Sequence, residues 1–228
     1  KENELTAIAA MKTEELENWR EDYFKDADIL FKNTSFHALA GRYLKDPGDK
    51  EAERQLQSWL GLYPDRFHFD QVRLIDAEGV TRMSIPAGRP PTASAIREDI
   101  PEILRSGQVK LKDFYFCNDC QKIHLAVMIP ILDEKNESTP VGVLVMRIDP
   151  TTYLYPFIRQ WPTPSRTAEA LIVRKEGNEV LFLNDLRFQE NAALKLHFSL
   201  DGNKELPAVK AVLGQEGVVE GIDYRGVP

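Results

Sequence analysis

The sequence predicts an α+β protein: a long N-terminal helix followed by two tandem antiparallel-sheet modules, the second of them truncated. Three observations carry this. Apolar residues recur at three-to-four spacing through roughly the first 45 positions, the helical period. From Phe69 onward the period falls to two, the signature of strands with alternating faces. Finally, the segment 170–183 repeats the strand–turn–strand pattern of 72–85 around the same turn, Glu78-Gly79 in one copy and Glu176-Gly177 in the other.

In order along the chain, residues 1–45 read as a helix for signalling or dimerisation. Its apolar stripe is Leu5, Ile8, Leu16, Trp19, Tyr23 and Leu30; Lys12, Glu14, Glu15, Glu17, Arg20, Glu21 and Lys25 form a charged, solvated face. So narrow a stripe suits a partner helix better than a core. Asn33-Thr34-Ser35 is a point of interruption or recapping, and Asp46-Pro47-Gly48 ends the region. A short helix over 50–61 packs through Leu56, Trp59 and Leu60. Strands are expected over 72–76 and 80–85, a Pro/Gly loop over 86–92, and a helix capped by Ser94 and stopped by Gly107. Three further strands, 109–116, 122–132 and 141–148, complete a β-β-α-β-β-β module within 46–150, with a polar loop at 133–139. Residues 149–162 are a connector whose prolines fix its path and whose aromatics demand burial, so the modules are expected to move as one body. The second module, within 151–228, is expected to run through a helix at 207–213 and a strand at 218–224, and to lack its last two strands.

Composition narrows the function classes. The 228 residues carry a net charge of −7 with both signs interspersed, so no nucleic-acid-binding face is indicated. The longest apolar run, 125–132, is strand-sized and far short of the ~20 residues that span a bilayer. The chain starts at Lys1 without a secretory pattern and ends directly after a strand-like segment, so membrane segments are expected outside it.

Particular strings carry a resemblance to a known family: Val143-Leu144-Val145-Met146-Arg147-Ile148-Asp149-Pro150, then Tyr153-Leu154-Tyr155-Pro156, then the glycine-punctuated 214–228. With the helix and the tandem modules, the chain resembles the double-Cache (tandem PAS-like, PDC) extracytoplasmic sensor domains, and 140–225 resembles those of bacterial transmembrane histidine kinases. The resemblance implies a periplasmic domain anchored in the cytoplasmic membrane by flanking segments. It implies a small polar or anionic metabolite in the membrane-distal module (46–150), a membrane-proximal second module, a homodimer through the N-terminal helix, and a kinase output outside this chain. A chemotaxis receptor or a cyclic-dinucleotide enzyme is the alternative output. Many amino-acid receptors of the family carry Arg-x-Trp-(Tyr/Phe) after the second strand; here that place holds Ser84-Ile85-Pro86-Ala87-Gly88-Arg89-Pro90-Pro91, without an aromatic, and no residue is carried over from the motif.

Candidate ligand contacts therefore come from strand alternation. Arg82 and Ser84 share a face, as do Asp113 and Tyr115, and His124 lies on a third strand. Arg82 suits a carboxylate, Asp113 an ammonium, and Tyr115 and His124 supply hydrogen bonds. The competing reading is that these residues face solvent, or that Arg82 and Asp113 pair with each other. Cys117-Asn118-Asp119-Cys120 sits between two strands, where a disulfide clamping a hairpin is the plain reading outside the cytoplasm. Cys117, Cys120 and His124 form a C-x2-C-x3-H cluster without an evident fourth zinc ligand, and a redox-active pair is a further alternative. No phosphate loop, nucleophile elbow or His-Glu-x-x-His string is present and the four histidines are scattered, so neither catalysis nor a cofactor is expected of this segment. A protein-interaction module on the same fold is the remaining reading, marked by a side-chain-filled cavity.

Overall fold

The computed structural model describes residues 2–63, 69–88, 92–133, 136 and 139–228. Among residues outside that set are 89–91 of the Pro/Gly loop, His68, and 134, 135, 137 and 138 of the 133–139 loop. The chain forms two compact units: Trp19–Pro150, and Lys1–Asn18 together with Thr151–Pro228.

Helix α1 (Glu2–Phe31) contributes its first residues to one unit and the remainder to the other. The helical region 1–45 is interrupted at Asn33, within the Asn33-Thr34-Ser35 expected to interrupt or recap it. The Asn33 side chain accepts from Phe36 N at 3.0 Å and starts α2 (Thr34–Lys45). The charged-face assignment of Lys12 and the reading of the apolar stripe as a partner seam are both corrected. Ile8, Tyr23 and Leu30 are buried within the chain, as is Lys12 at 5% exposure. The pattern had the right period, but an intramolecular core claims most of the stripe. Leu5, Met11, Phe24 and Ile29 remain exposed.

In the Trp19–Pro150 unit, α3 (Lys50–Leu60) starts at Asp49, whose carboxylate accepts from the backbone of Glu51 and Ala52. The sheet contains β1 (Gln71–Asp76), β2 (Thr81–Ile85), β3 (Lys110–Cys117), β4 (Lys122–Leu132) and β5 (Pro140–Ile148), ordered β2-β1-β5-β4-β3 and antiparallel throughout. Strands β1, β4 and β5 are buried almost end to end. Their near-continuous apolar runs follow, because helices cover both faces. Helix α4 (Ser94–Ser106) packs Ile96, Ile100 and Ile103 on the face carrying Ile75, Ala126, Met128, Val143 and Val145. Helix α2 lies against β4 and β5 on the other face. There Gly142 is needed for close approach: a Cβ would come within 2.5 Å of Ile75 O and 2.6 Å of a Leu44 methyl. Ser94 is the first helical residue rather than the cap. Ala93 occupies the cap position without a side-chain hydrogen bond, and Gly107 ends the helix at φ +64° as expected.

The other unit holds α5 (Leu154–Arg159), β6 (Val173–Glu176), β7 (Glu179–Phe182), β8 (His197–Ser199) and α6 (Pro207–Val212). Its three-stranded sheet runs β6-β7-β8 over a core of Val180, Phe182, Leu200, Leu206 and Val209. The third strand thus precedes the helix, and the strand expected at 218–224 is not formed. Gly217 and Gly226 adopt positive φ, and Asp223 Oδ1 accepts from the backbone of Arg225 and Val227, which bends the segment into a turn. The connector is packed as expected: Tyr155 donates to Leu183 O at 2.7 Å, and Lys12 donates to Phe157 O at 2.8 Å and Gln160 O at 2.9 Å at the C-terminal end of α5.

Candidate ligand-binding site

Strand register places a polar cluster on the α4 face of the sheet. Gln71 of β1 is the cross-strand partner of Arg147 on β5, and Arg73 pairs with Val145. Both arginines interrupt apolar runs, and alternation turns them toward α4. Arg73 and Arg147 are 6% and 8% exposed. With Gln71, Thr92, Tyr115 and Cys117 they surround a small, partly open cavity of about 20 Å³, lined also by Ala93 and Ile96 at the N-terminal end of α4. That volume is about one water molecule's worth.

The two guanidiniums are held differently. Arg147 grips Asp70 through Nε at 2.9 and 3.0 Å and Nη2 at 2.5 Å, a bidentate pair that fixes its plane. Burial alone would lower its pKa, but the hydrogen bonds and charge of Asp70 raise it instead. Arg73 donates from Nε to Gln71 Oε1 at 2.8 Å and from Nη1 to Thr92 Oγ1 at 3.0 Å. Burial, then the neighbouring Arg147 charge, pulls its pKa down, so the cavity wall is electropositive. Tyr115 is also buried, which pushes its phenol well above the usual range.

The residues chosen from strand alternation divide. Tyr115 lies in the wall. His124 is its cross-strand partner, ring centroids 6.2 Å apart, one position behind the wall. Ser84 accepts from Gln71 Nε2 at 3.3 Å and so backs a wall residue. Arg82 is directed away and pairs with buried Asp76 at 2.5 Å, not with Asp113. Asp113 is exposed beside an irregularity in the β3–β4 register and accepts from Phe114 N at 2.7 Å. Arg82 and Asp113 thus lie outside this cavity, whose wall instead holds Gln71, Arg73, Thr92 and Arg147. The missed signal was a charged residue flanked on both sides by apolar ones, as in Val72-Arg73-Leu74 and Met146-Arg147-Ile148: a strand covered on both faces still buries that charge.

Cys117 and Cys120 are free thiols in this structure. Cys120 Sγ lies 3.2 Å from His124 Nε2, and His124 Nδ1 lies 4.0 Å from Asp70 Oδ2. Burial, then the Arg147 charge, lowers the His124 pKa. The unfolded chain therefore binds a proton here that the folded one resists. Below the unfolded value of about 6.5 stability should fall with pH, by at most about 1.4 kcal/mol per unit for one group. Urea titrations at pH 7.5 and 5.5 on the native chain and on His124→Gln check this; an equally steep decline in the variant would assign the effect elsewhere.

Two larger clefts lie in the other unit, of about 550 Å³ between Phe198 and Gly226 and about 440 Å³ between Arg159 and Arg187. The buried polar residue there, Asn184, spends its amide on the backbone of Ala170, Ile172 and Asp185. Among the described residues no group of three or more His, Cys, Asp and Glu side chains is placed to hold a metal ion, and no helix is long and apolar enough to cross a membrane.

No family model matches the chain, and no curated protein matches its sequence. Solved structures match its fold. The ligand-binding domain of the Pseudomonas aeruginosa amino-acid chemoreceptor PctC, in complex with GABA, aligns over 96% of this chain and 86% of its own at TM-score 0.56 and 16% identity. The Pseudomonas fluorescens chemoreceptor CtaA, in complex with L-serine, aligns over 88% and 76% at 0.53 and 15%. The Vibrio cholerae histidine kinase DctB sensor domain aligns over 82% and 88% at 0.50 and 12%. The long N-terminal helix, the five-stranded sheet and the smaller second sheet together give this chain the α+β, PAS-like fold of the Cache sensor domains.

Proposed function

We propose that this chain is the extracytoplasmic sensor domain of a membrane receptor, a histidine kinase by its string resemblance, and that it binds a small carboxylate-bearing metabolite between α4 and the five-stranded sheet. One observation carries the ligand class: two arginines buried in mid-strand converge on one cavity with Tyr115 and Thr92. The N-terminal end of α4, where Ala93 makes no side-chain cap, adds the positive end of a helix dipole. The fold neighbours are ligand-binding or sensor domains, two of them solved with GABA or L-serine. Residues 46–150 serve as the membrane-distal module and 151–228 as the proximal one. A homodimer would use the exposed part of α1, with Leu5, Met11, Phe24 and Ile29.

The cavity is far below the roughly 300 Å³ of a ligand pocket, so binding requires α4 to move off the sheet. A thermal-shift panel of organic acids, amino acids, amines and inorganic ions tests the reading. At a hundredfold excess over Kd a carboxylate should raise Tm by roughly 5–10 °C, and titration calorimetry should show that binding lost in Arg73→Met. If no compound shifts the melt, or only amines without a carboxylate do, the reading is wrong. The small volume of the cavity favours a second reading, a module that recognises a partner protein, and a blank panel would support it.

A further inference from the structure

We propose that Cys117 and Cys120 are a reversible dithiol–disulfide pair in which Cys120 is the attacking thiol, His124 its base and Cys117 the resolving thiol. The geometry is built around the β3–β4 turn. Cys117 closes β3 and lines the cavity. Cys120 stands in the turn, held by Gln121 at φ +53° and a Gln121 Nε2 hydrogen bond to Asn118 O at 2.6 Å. The two cysteines are three residues apart across the turn, and Cys120 packs against the buried cluster that contains Cys117. Cys117 is buried, whereas Cys120 is partly exposed, and only Cys120 is open to a bulky reagent.

The surroundings of Cys120 fit an attacking thiol. His124 Nε2 at 3.2 Å can take its proton, and Asp70 behind the imidazole, 4.0 Å from Nδ1, stabilises the cation that forms. The Arg147 guanidinium lies 3.9 Å from Sγ and favours the thiolate. At rest, burial and the Cys117 contact keep the thiol protonated, so the pair is stable until a partner engages it.

The oxidant is a disulfide donor, R–S–S–R. Cys120 passes its proton to His124 and attacks one donor sulfur, giving a mixed disulfide and a thiolate that takes up the proton as RSH. Cys117 then attacks the Cys120 sulfur, losing its own proton, and a second RSH leaves. Two protein thiols become one disulfide as the donor is reduced to two thiols. Closing the bond withdraws Cys120 Sγ from His124 and moves Cys117 in the cavity wall, so the wall responds to redox state. The chemistry is independent of which metabolite, if any, the cavity takes.

The test uses the native 228-residue chain in oxidised and reduced glutathione, with alkylation, mass spectrometry and a ¹⁵N-imidazole NMR spectrum. The expected product is a monomer lighter by about 2 Da, with both thiols blocked, a shifted His124 resonance and full reversal by dithiothreitol. His124→Gln should form the same bond at least about tenfold more slowly. In Cys120→Ser, Cys117 should react far more slowly than Cys120 does in Cys117→Ser. Thiols that stay alkylatable, or a bond that survives dithiothreitol in the folded chain, would overturn the switch. An unchanged rate in His124→Gln would overturn the base, and an unmoved His124 resonance the link to the wall.

Discussion

Replacing Asp70 by Ala is expected to lower the stability of the chain by about 2–3 kcal/mol, one of the two largest single-residue effects anticipated. The carboxylate holds the Nε–Nη2 edge of the Arg147 guanidinium, and Arg147 is nearly buried. Removing one partner of such a pair leaves a charge with neither water nor counter-ion, which costs roughly 3–5 kcal/mol when fully buried. A quarter of the Asp70 side chain is exposed, and that access to water sets the lower figure. The double variant Asp70→Ala/Arg147→Met should recover most of the loss, because an apolar side chain of similar length fits where a lone charge does not. Urea unfolding of both variants gives the coupling directly. Additive losses would show that the pair is not an energetic unit.

Lys12→Met should cost about 2–3 kcal/mol, seen as a fall in Tm of roughly 5–10 °C. The ammonium satisfies carbonyls of Phe157, Ile158 and Gln160 that the end of α5 leaves without helical donors, and it sits 4.4 Å from the Phe157 ring centroid. Burial lowers its pKa, but no other charge is needed to hold it, since three carbonyl dipoles converge on one cation. Met keeps the apolar stem and removes only the charge. Lys25→Met, on the exposed face of the same helix, is the control and should stay within about 0.5 kcal/mol. Equal melting of the two variants would mean that the Lys12 contacts contribute nothing net.

Local chemistry was legible in the chain wherever it acts over a few residues. The break at Asn33 follows from a side chain that reaches Phe36 N, and the stop at Gly107 from a left-handed backbone that glycine adopts without strain. The first module's strands were legible because short apolar runs rich in β-branched residues are bounded by turn residues such as Glu78-Gly79 and Asn118-Asp119. The second module misled because Val218, Val219 and Ile222 look like a strand, while Asp223 and the flanking glycines bend the backbone before a ladder forms. Of the residues chosen by alternation, Tyr115 lies in the cavity wall with His124 and Ser84 behind it, while Arg82 and Asp113 lie away from it. Alternation gives the face of a side chain but not its partner, and Arg82 follows a register irregularity near Asp76.

By itself the sequence determined the elements of the first module and the closeness of Cys117 to Cys120, since each depends on spacing of a few residues. Only the tertiary structure decided that Lys12 is buried, that Arg73 and Arg147 meet on one wall, and that Asp70 reaches Arg147 and lies beside His124. Those contacts join positions far apart in the chain, and the two arginines meet because β1 and β5 pair out of sequence order. No local pattern encodes such a pairing, because it is selected by the burial of whole faces rather than by any neighbouring residue.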